Sequence, residues 1–155
     1  MNTNKAHITL NKAFQLNNKH YSVETINILA KYFIENGTQN EIQLGNFILN
    51  WIDDLDEIQL QTSGTTSKPT TICISKAAFI NSAKATGIFF NLKAENSALC
   101  CLPFSYIAAK MMFIRAWVLG LKLDTLEPSS NPLEYTTQYY DFSAMVPLQV
   151  HKSYS

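Results

Sequence analysis

A run of hydroxyl-bearing residues has the composition of an anion-binding loop. It reads Thr62-Ser63-Gly64-Thr65-Thr66-Ser67-Lys68-Pro69-Thr70. Glycine at 64 lets the backbone turn so that successive N–H groups can face one anion, and the hydroxyls add small donors. Lys68 adds a mobile positive charge, so the loop has the chemistry needed to hold a polyphosphate. It is not a Walker A loop, because Gly-Lys-Ser/Thr does not occur in the sequence.

The same run also fits a polar turn of no chemical function. Residues 58–61 and 71–74 alternate between polar and apolar side chains, as half-buried strands do. Clusters of Ser, Thr and Gly commonly join such strands. Composition therefore leaves both a phosphate loop and a plain hairpin open.

The remaining reactive side chains favour structural roles. Cys73, Cys100 and Cys101 lie in apolar, strand-like contexts, and an odd number with two adjacent members is no disulfide framework. We expect all three to be buried, inert thiols; a catalytic thiol is the alternative, but no His lies nearby in sequence. The acidic run at 53–57 lacks the spacing of an EF-hand and predicts a solvated helix end.

The elements that must position these residues alternate between helices and short apolar strands. Ser22 is predicted to cap a helix of apolar periodicity that Gly37 ends. Further helices are predicted at 41–52, from Ser75 to about 88, at 107–119, and weakly at 133–139. Strands are predicted at 58–61, 71–74, 97–102, 122–126 and 142–146, with residues 7–10 as an arm or edge strand and 151–155 as a tail that closes nothing. This alternation predicts an α/β fold with a layered, mostly parallel sheet and flanking helices.

The loop at 62–70 resembles the phosphate-loop signature of the adenylate-forming superfamily, which includes acyl-CoA ligases, luciferases and peptide-synthetase adenylation domains. That signature reads Ser/Thr-Ser/Thr-Gly-Ser/Thr-Thr-Gly-x-Pro-Lys. The chain matches it over 62–66 and at Pro69, while Ser67 and Thr70 replace the family's Gly and Lys.

A second motif follows at the expected distance. Leu102-Pro103-Phe104-Ser105-Tyr106-Ile107-Ala108-Ala109-Lys110 is similar to the family's Leu-Pro-x-Phe/Tyr-His-x-x-Gly. Tyr106 stands where the family has an aromatic or His residue near the acyl pocket, and Ala109 replaces the Gly. The stretches at 81–87, 110–116, 127–132 and 141–149 resemble 2-succinylbenzoate–CoA ligases of menaquinone biosynthesis.

This resemblance implies an enzyme that uses ATP, Mg²⁺ and coenzyme A in two half-reactions through an acyl-adenylate. It implies that Tyr106 lines the acyl pocket and that several loop residues hold the β- and γ-phosphates. Those phosphate-binding residues are Thr62, Ser63, Gly64, Thr65, Thr66 and Lys68. By charge complementarity, Lys110 or Arg115 could meet a carboxylate of a dicarboxylic substrate. A solvated helix face for Lys110 and a structural ion pair for Arg115 are the alternatives.

The later motifs of the family, Tyr-Gly-x-Thr-Glu and Tyr-x-Ser/Thr-Gly-Asp, are absent from the sequence. We therefore expect an N-terminal fragment, with residues 1–57 as a helical lead-in, 58–155 as the phosphate-loop α/β portion, and no C-terminal domain. Such a fragment is expected to be inactive by itself and to self-associate through faces that the rest of the enzyme would cover. The alternatives are a non-catalytic nucleotide- or acyl-binding α/β module and a purely structural domain.

Composition excludes several other classes of protein. The 155 residues include 46% hydrophobic and 15% charged side chains, which suits one domain with a real core. The 12 basic residues balance the 12 acidic ones, and a single Arg among them leaves no basic stripe for nucleic acid. No apolar run approaches the ~18 residues of a membrane-spanning helix. The N-terminus lacks the apolar stretch of a signal peptide, so the sequence predicts a cytoplasmic protein that binds small-molecule substrates.

Overall fold

Five α-helices and seven strands form over residues 9–62 and 70–154, the parts of the chain that the computed structural model describes. The helices are α1 (Val23–Asn36), α2 (Gln39–Ile52), α3 (Lys76–Phe89), α4 (Ile107–Leu119) and α5 (Pro147–Ser153). The strands are β1 (Gln15–Leu16), β2 (Lys19–His20), β3 (Glu57–Thr62), β4 (Thr70–Ser75), β5 (Ser97–Cys100), β6 (Lys122–Thr125) and β7 (Phe142–Ala144). A short 3-10 helix spans Pro132–Tyr135. Residues 7 and 8 of the predicted arm or edge strand at 7–10 lie outside the described residues, and residues 9 and 10 are not in a strand.

The first two helices begin at the positions that their capping residues dictate. The hydroxyl of Ser22 accepts a hydrogen bond from the backbone N–H of Thr25 at the start of α1, and Thr38 makes the same contact with Glu41 at the start of α2. Each N3 side chain returns a contact to the cap backbone, which completes a capping box. The prediction of helices at these two places is confirmed.

Only some of the apolar residues of α1 face the core. Ile26, Ala30 and Phe33 are buried, whereas Ile28 and Tyr32 are 69% and 59% exposed. The large apolar residues of both groups occur at helical spacing in the sequence, so the sequence alone does not say which group is buried. Packing against α2 selects the stripe that includes the small Ala30, because a small residue lets two helices approach closely.

The main sheet is mostly parallel, as predicted. Its strand order is β2-β1-β6-β5-β7, and each pair is parallel except the β1–β2 hairpin. Helix α4 connects the neighbouring parallel strands β5 and β6, which is a βαβ unit. The sequence did not predict β1 and β2, because two-residue strands leave no measurable alternation. Asn17 and Asn18 form their turn with φ of 50° and 64°, in the left-handed region that asparagine tolerates.

Helix α4 lies in the middle of the core. Its buried residues, which include Met112, Phe113 and Trp117, occupy more than one face of the helix. A helix whose buried residues cover so wide an arc must be packed against on several sides. Here the partners include α3, the sheet and the aromatic ring of Phe14, whose centroid lies 5.8 Å from that of Phe113. The bounds of α4 and its left-handed stop at Gly120 (φ 76°) are as predicted.

Two local predictions are wrong, and one helix was not predicted. Cys73 is exposed, because β3 and β4 form a separate two-stranded pair with one open face. The sequence did not predict α5; Pro147 begins this helix and fixes its first turn, and residues 151–153 of the predicted tail form its last turn. The helix predicted at 133–139 is a single 3-10 turn, since Pro132 begins it and extended backbone follows at Thr136.

Cys100 and Cys101 are buried, as predicted. Burial raises the pKa of the Cys100 thiol to about 12 and raises that of Cys101 as well. Both thiols therefore stay protonated and unreactive at neutral pH.

Candidate functional site

The carboxyl ends of β5, β6 and β7 meet at one edge of the sheet because these strands are parallel. Three connections leave this edge together: residues 101–106, 126–131 and 145–146. In open α/β sheets, ligands bind in the crevice outside the carboxyl ends of the strands. The fold thus provides a place for a site before any side chain is considered.

A cavity of about 670 Å³ lies at this edge, and its walls come from all three connections. Pro103 and Tyr106 belong to the first wall, Pro128 and Ser129 to the second, and Val146 to the third. Most of the surface is apolar, and none of the lining residues carries a charge. The cavity is suited to an aromatic or aliphatic group held by contact and not by ion pairing.

Tyr106, for which the sequence motif predicts a substrate contact, lines this cavity. It is the N-cap residue of α4, in extended conformation (φ −98°, ψ 147°), and it makes no side-chain cap. Its backbone N–H donates to the carbonyl of Pro103 at 3.0 Å, which turns the side chain outward. The ring is 58% exposed and free to contact a ligand.

A buried asparagine that the sequence did not single out fixes the first wall. The side-chain oxygen of Asn40 on α2 accepts a hydrogen bond from the backbone N–H of Phe104 at 2.8 Å. Both residues are buried, so this bond is shielded from water and orients the segment that leads to Tyr106. Asn40 and Phe104 are 64 positions apart, and no local pattern links them.

Lys110 lies in a different cleft from Tyr106. This cleft has a volume of about 200 Å³ and is formed by α2, β3 and residues 104–105. The Nζ atom of Lys110 lies 3.4 Å from the carbonyl oxygen of Ser105 and 6.0 Å from the centre of the Phe47 ring. Partial burial lowers the pKa of its ammonium. Lys110 therefore lies between Phe47 of α2 and the backbone of Ser105, outside the cavity that Tyr106 lines.

Arg115 is remote from both clefts. Its Nε atom donates to the hydroxyl of Thr86 at 3.3 Å, and its guanidinium lies 5.8 Å from the centre of the Phe142 ring. Partial burial lowers the pKa of this group too. Lys110 and Arg115 are five residues apart on α4, which puts them about 140° apart around the helix axis. The structure therefore does not bring Tyr106, Lys110 and Arg115 to one pocket.

The predicted phosphate loop joins two antiparallel strands. β3 pairs with β4 from Glu57 opposite Ser75 to Thr62 opposite Thr70. A phosphate loop and a plain hairpin both predict this pairing, so the pairing does not choose between them. Ser63, Gly64, Thr65, Thr66 and Lys68 lie outside the described residues, as does the side chain of Thr62.

A buried ion pair anchors the base of this hairpin. Lys76, the first residue of α3, is 1% exposed, and its Nζ atom lies 2.7 Å from Oδ1 and 3.0 Å from the backbone oxygen of Asp53. The backbone N–H of Lys76 also donates to the carbonyl of Asp56 at 2.8 Å. The first acidic residue after α2 is therefore a structural partner and not merely part of a solvated helix end.

A solved structure with the same fold is known. An acyl-CoA synthetase (AMP-forming)/AMP-acid ligase II-like protein from Dyadobacter fermentans is 34% identical, with a TM-score of 0.70 over 81% of this chain and 36% of that one. The chain has the fold of the N-terminal domain of adenylate-forming enzymes. It spans about a third of the length of that relative.

More distant structures were also found. The N-terminal domain of FACL13 from Mycobacterium tuberculosis is 18% identical over 53% of this chain and 24% of that one, with a TM-score of 0.44. An o-succinylbenzoate CoA synthetase from Bacillus subtilis, bound to its acyl-adenylate intermediate, is 14% identical over 72% of this chain and 36% of that one, with a TM-score of 0.43. No family model matches the sequence, and neither does any curated protein.

Two further findings concern the described residues only. None of their helices has the length and apolar character needed to cross a bilayer. Among residues 9–62 and 70–154, no three His, Cys, Asp or Glu side chains come together in a way that could hold a metal ion.

Proposed function

We propose that the chain is part of an ATP-dependent acid–CoA ligase that forms an acyl-adenylate, with 2-succinylbenzoate as the acid. The observation that carries this proposal is the apolar cavity beside Tyr106. It lies at the carboxyl edge of a fold similar to that of an AMP-forming synthetase, and the second family motif builds its first wall. In this proposal residues 1–57 are a helical lead-in that also supplies β1 and β2 to the main sheet, and residues 58–155 are the phosphate-loop portion.

The overall reaction would have two steps. A carboxylate oxygen of the acid attacks the α-phosphorus of ATP, and pyrophosphate leaves with the electrons of the broken P–O bond. The thiolate of coenzyme A then attacks the acyl carbon and displaces AMP. In the first step negative charge grows on the phosphate oxygens, so donors placed around them lower the barrier.

The residues of this chain would bind and orient the substrates. Thr62, Ser63, Gly64, Thr65, Thr66 and Lys68 are proposed to hold the β- and γ-phosphates through backbone N–H groups, hydroxyls and one ammonium. Tyr106 is proposed to hold the aromatic ring of the acid within the cavity. Mg²⁺ and coenzyme A are proposed as a cofactor and a co-substrate of the complete enzyme.

The proposed roles of Lys110 and Arg115 need revision on geometric grounds. Both remain candidates for contact with a substrate carboxylate, but neither lines the cavity. The acyl group is therefore proposed to bind mainly by apolar contact, with Ser129 and Ser130 as the nearby hydroxyls.

The proposed ATP site and the proposed acid site are tested by separate substitutions. Gly64→Val should abolish ATP binding measured by isothermal titration calorimetry, because a β-branched side chain blocks the close approach of the backbone to phosphate. Thr71→Val, on the exposed face of β4, is the matched control and should bind ATP normally. Equal ATP binding by both variants would leave the loop as a plain turn.

The acid site is tested by filling the cavity. Ala108 is exposed and lines the cavity, so Ala108→Trp should block binding of 2-succinylbenzoate while ATP binding is kept. Ligation of this acid to coenzyme A by the 155-residue chain would contradict the expected inactivity. Binding of ATP or the acid by the full-length gene product without any adenylation would favour a non-catalytic binding module.

A further inference from the structure

Gln149 joins the three walls of the cavity. It is 5% exposed, although glutamine is usually a surface residue. Its side-chain Nε2 donates to the backbone oxygen of Cys101 at 3.0 Å and to that of Ser129 at 2.9 Å. Its Oε1 accepts from the backbone N–H of Val146 at 3.1 Å.

Each partner of Gln149 belongs to a different connection at the carboxyl edge. Cys101 follows β5, Ser129 lies in the segment after β6, and Val146 comes two residues after β7. Ser129 and Val146 line the cavity, and so does Leu102, the residue after Cys101. One buried side chain thus fixes the distance between three segments that share no hydrogen-bonded strand pairing at this point.

The amide group is largely used in these contacts. Two hydrogen bonds leave its Nε2 and one reaches its Oε1, so both donors and one of the two oxygen lone pairs have backbone partners. Gln149 therefore has little left to offer a ligand. We propose that Gln149 is the positioning residue of the acyl cavity: it sets the separation of the three walls and hence the affinity for the acid. This inference rests on the proposed function, since it takes the cavity as the acid site.

Other side chains cannot reproduce this set of bonds at neutral pH. Methionine matches glutamine in length but makes none of the three bonds. A glutamate carboxylate can accept from Val146 but repels the two backbone oxygens. When protonated, the same glutamate can accept from Val146 and donate to one of those oxygens, which restores two of the three hydrogen bonds. We call these three bonds of residue 149 the clamp.

The experiment uses the 155-residue chain and 2-succinylbenzoate as the probe, with binding measured by calorimetry at a temperature where every variant is folded. Gln149→Met and Gln149→Glu at pH 8 should each bind the acid about tenfold more weakly or worse, a change in affinity of the size that the loss of one net hydrogen bond produces. Gln39→Met, at an exposed position on α2, is the matched control and should bind like the parent. Gln149→Glu should recover affinity as the pH falls from 8 towards 5, because burial beside two backbone oxygens raises the pKa of the introduced carboxyl group. The parent's affinity should change little over the same pH range.

Backbone amide hydrogen exchange tests the role of Gln149 independently of whether the cavity binds the acid. Amides of residues 129–131 and of Val146 should exchange faster in Gln149→Met than in the parent. If exchange increases but the parent chain does not bind the acid, the clamp stands and the proposed acid site is refuted. Unchanged exchange refutes the clamp. So does unchanged affinity in folded Gln149→Met, even if its melting temperature is lower.

A measurement on the parent chain alone covers the case in which Gln149→Met does not fold. The side-chain amide protons of Gln149 should exchange much more slowly than those of exposed Gln39. Equal rates for the two side chains would overturn the proposal.

Discussion

The ion pair between Asp53 and Lys76 closes the base of the β3–β4 hairpin, which carries the predicted phosphate loop. Asp53 follows the last turn of α2, and Lys76 begins α3 directly after β4. The ammonium is 1% exposed, whereas the carboxylate is 36% exposed. This asymmetry predicts that the two single substitutions have unequal costs.

Asp53→Ala leaves a buried ammonium without its carboxylate. Removing one partner of a fully buried pair costs about 3–5 kcal/mol, and the partial exposure of Asp53 lowers this to about 2–3 kcal/mol. The carboxylate also accepts from the backbone N–H of Leu55 at 2.9 Å. Loss of that hydrogen bond adds roughly 0.5–1 kcal/mol, for a total of about 3 kcal/mol.

Lys76→Met removes the buried charge and keeps most of the side-chain volume. The carboxylate that remains can be hydrated, so the cost is expected to be about 1 kcal/mol or less. In Asp53→Ala/Lys76→Met no charge is left unpaired. The double variant should therefore be more stable than Asp53→Ala by about 1–2 kcal/mol.

Urea unfolding followed by tryptophan fluorescence measures these differences, because Trp51 and Trp117 are both fully buried. Glu35→Ala on the exposed face of α1 is the control and should change the free energy of unfolding by less than about 0.5 kcal/mol. Equal costs for the two single variants would refute the reasoning. Simple additivity in the double variant would do so as well.

Three further outcomes are expected. Ellman's reagent at pH 8 should label Cys73 rapidly and should reach Cys100 only on unfolding, because burial raises the pKa of Cys100 to about 12; rapid labelling of two or more thiols in the folded chain would contradict this. Hydrogen bonds from Ser97 lower the pKa of Asp141 below its ordinary value of 3.8, so its carboxylate stabilises the fold above that value and the effect is lost as the pH falls through the lowered pKa. Melting temperatures recorded from pH 6 to 2 should fall less steeply in Asp141→Asn, and parallel curves would argue against this role. Phe89 is 81% exposed and belongs to an aromatic cluster that reaches the edge strand β7. Analytical sedimentation should therefore show self-association of the parent chain, and Phe89→Ser should weaken it. A parent chain that stays monomeric at high concentration would count against this prediction.

The local parts of this fold follow from the sequence because their causes are local. Ser22, Ser75 and Gly120 mark helix ends through contacts within three or four residues, and each lies where the sequence predicts. The alternation of strands and helices predicts the parallel sheet for a similar reason, since a strand, a helix and the next strand form one contiguous unit. The motif around Tyr106 is contiguous too, and Tyr106 lines the cavity at the carboxyl edge, while its contact with a substrate stays a prediction.

The site itself depends on contacts between residues that are distant in sequence. Gln149 meets Cys101 across 48 positions, and Asn40 meets Phe104 across 64. Nothing in the composition around either residue distinguishes it from a surface amide. Their roles follow from burial beside backbone groups that would otherwise lack partners, and only packing creates that burial.

The sequence by itself determined the fold class, the starts of α1 and α3, the bounds of α4 and the order of the two motifs, because these depend on neighbours along the chain. Only the tertiary structure decided which of the three predicted substrate contacts line the cavity. Tyr106 leaves the start of α4 in extended conformation and faces the cavity, whereas Lys110 and Arg115 follow the turn of the helix to other surfaces. The direction of a side chain depends on the backbone at its own residue, but its partners depend on what the rest of the chain packs against it.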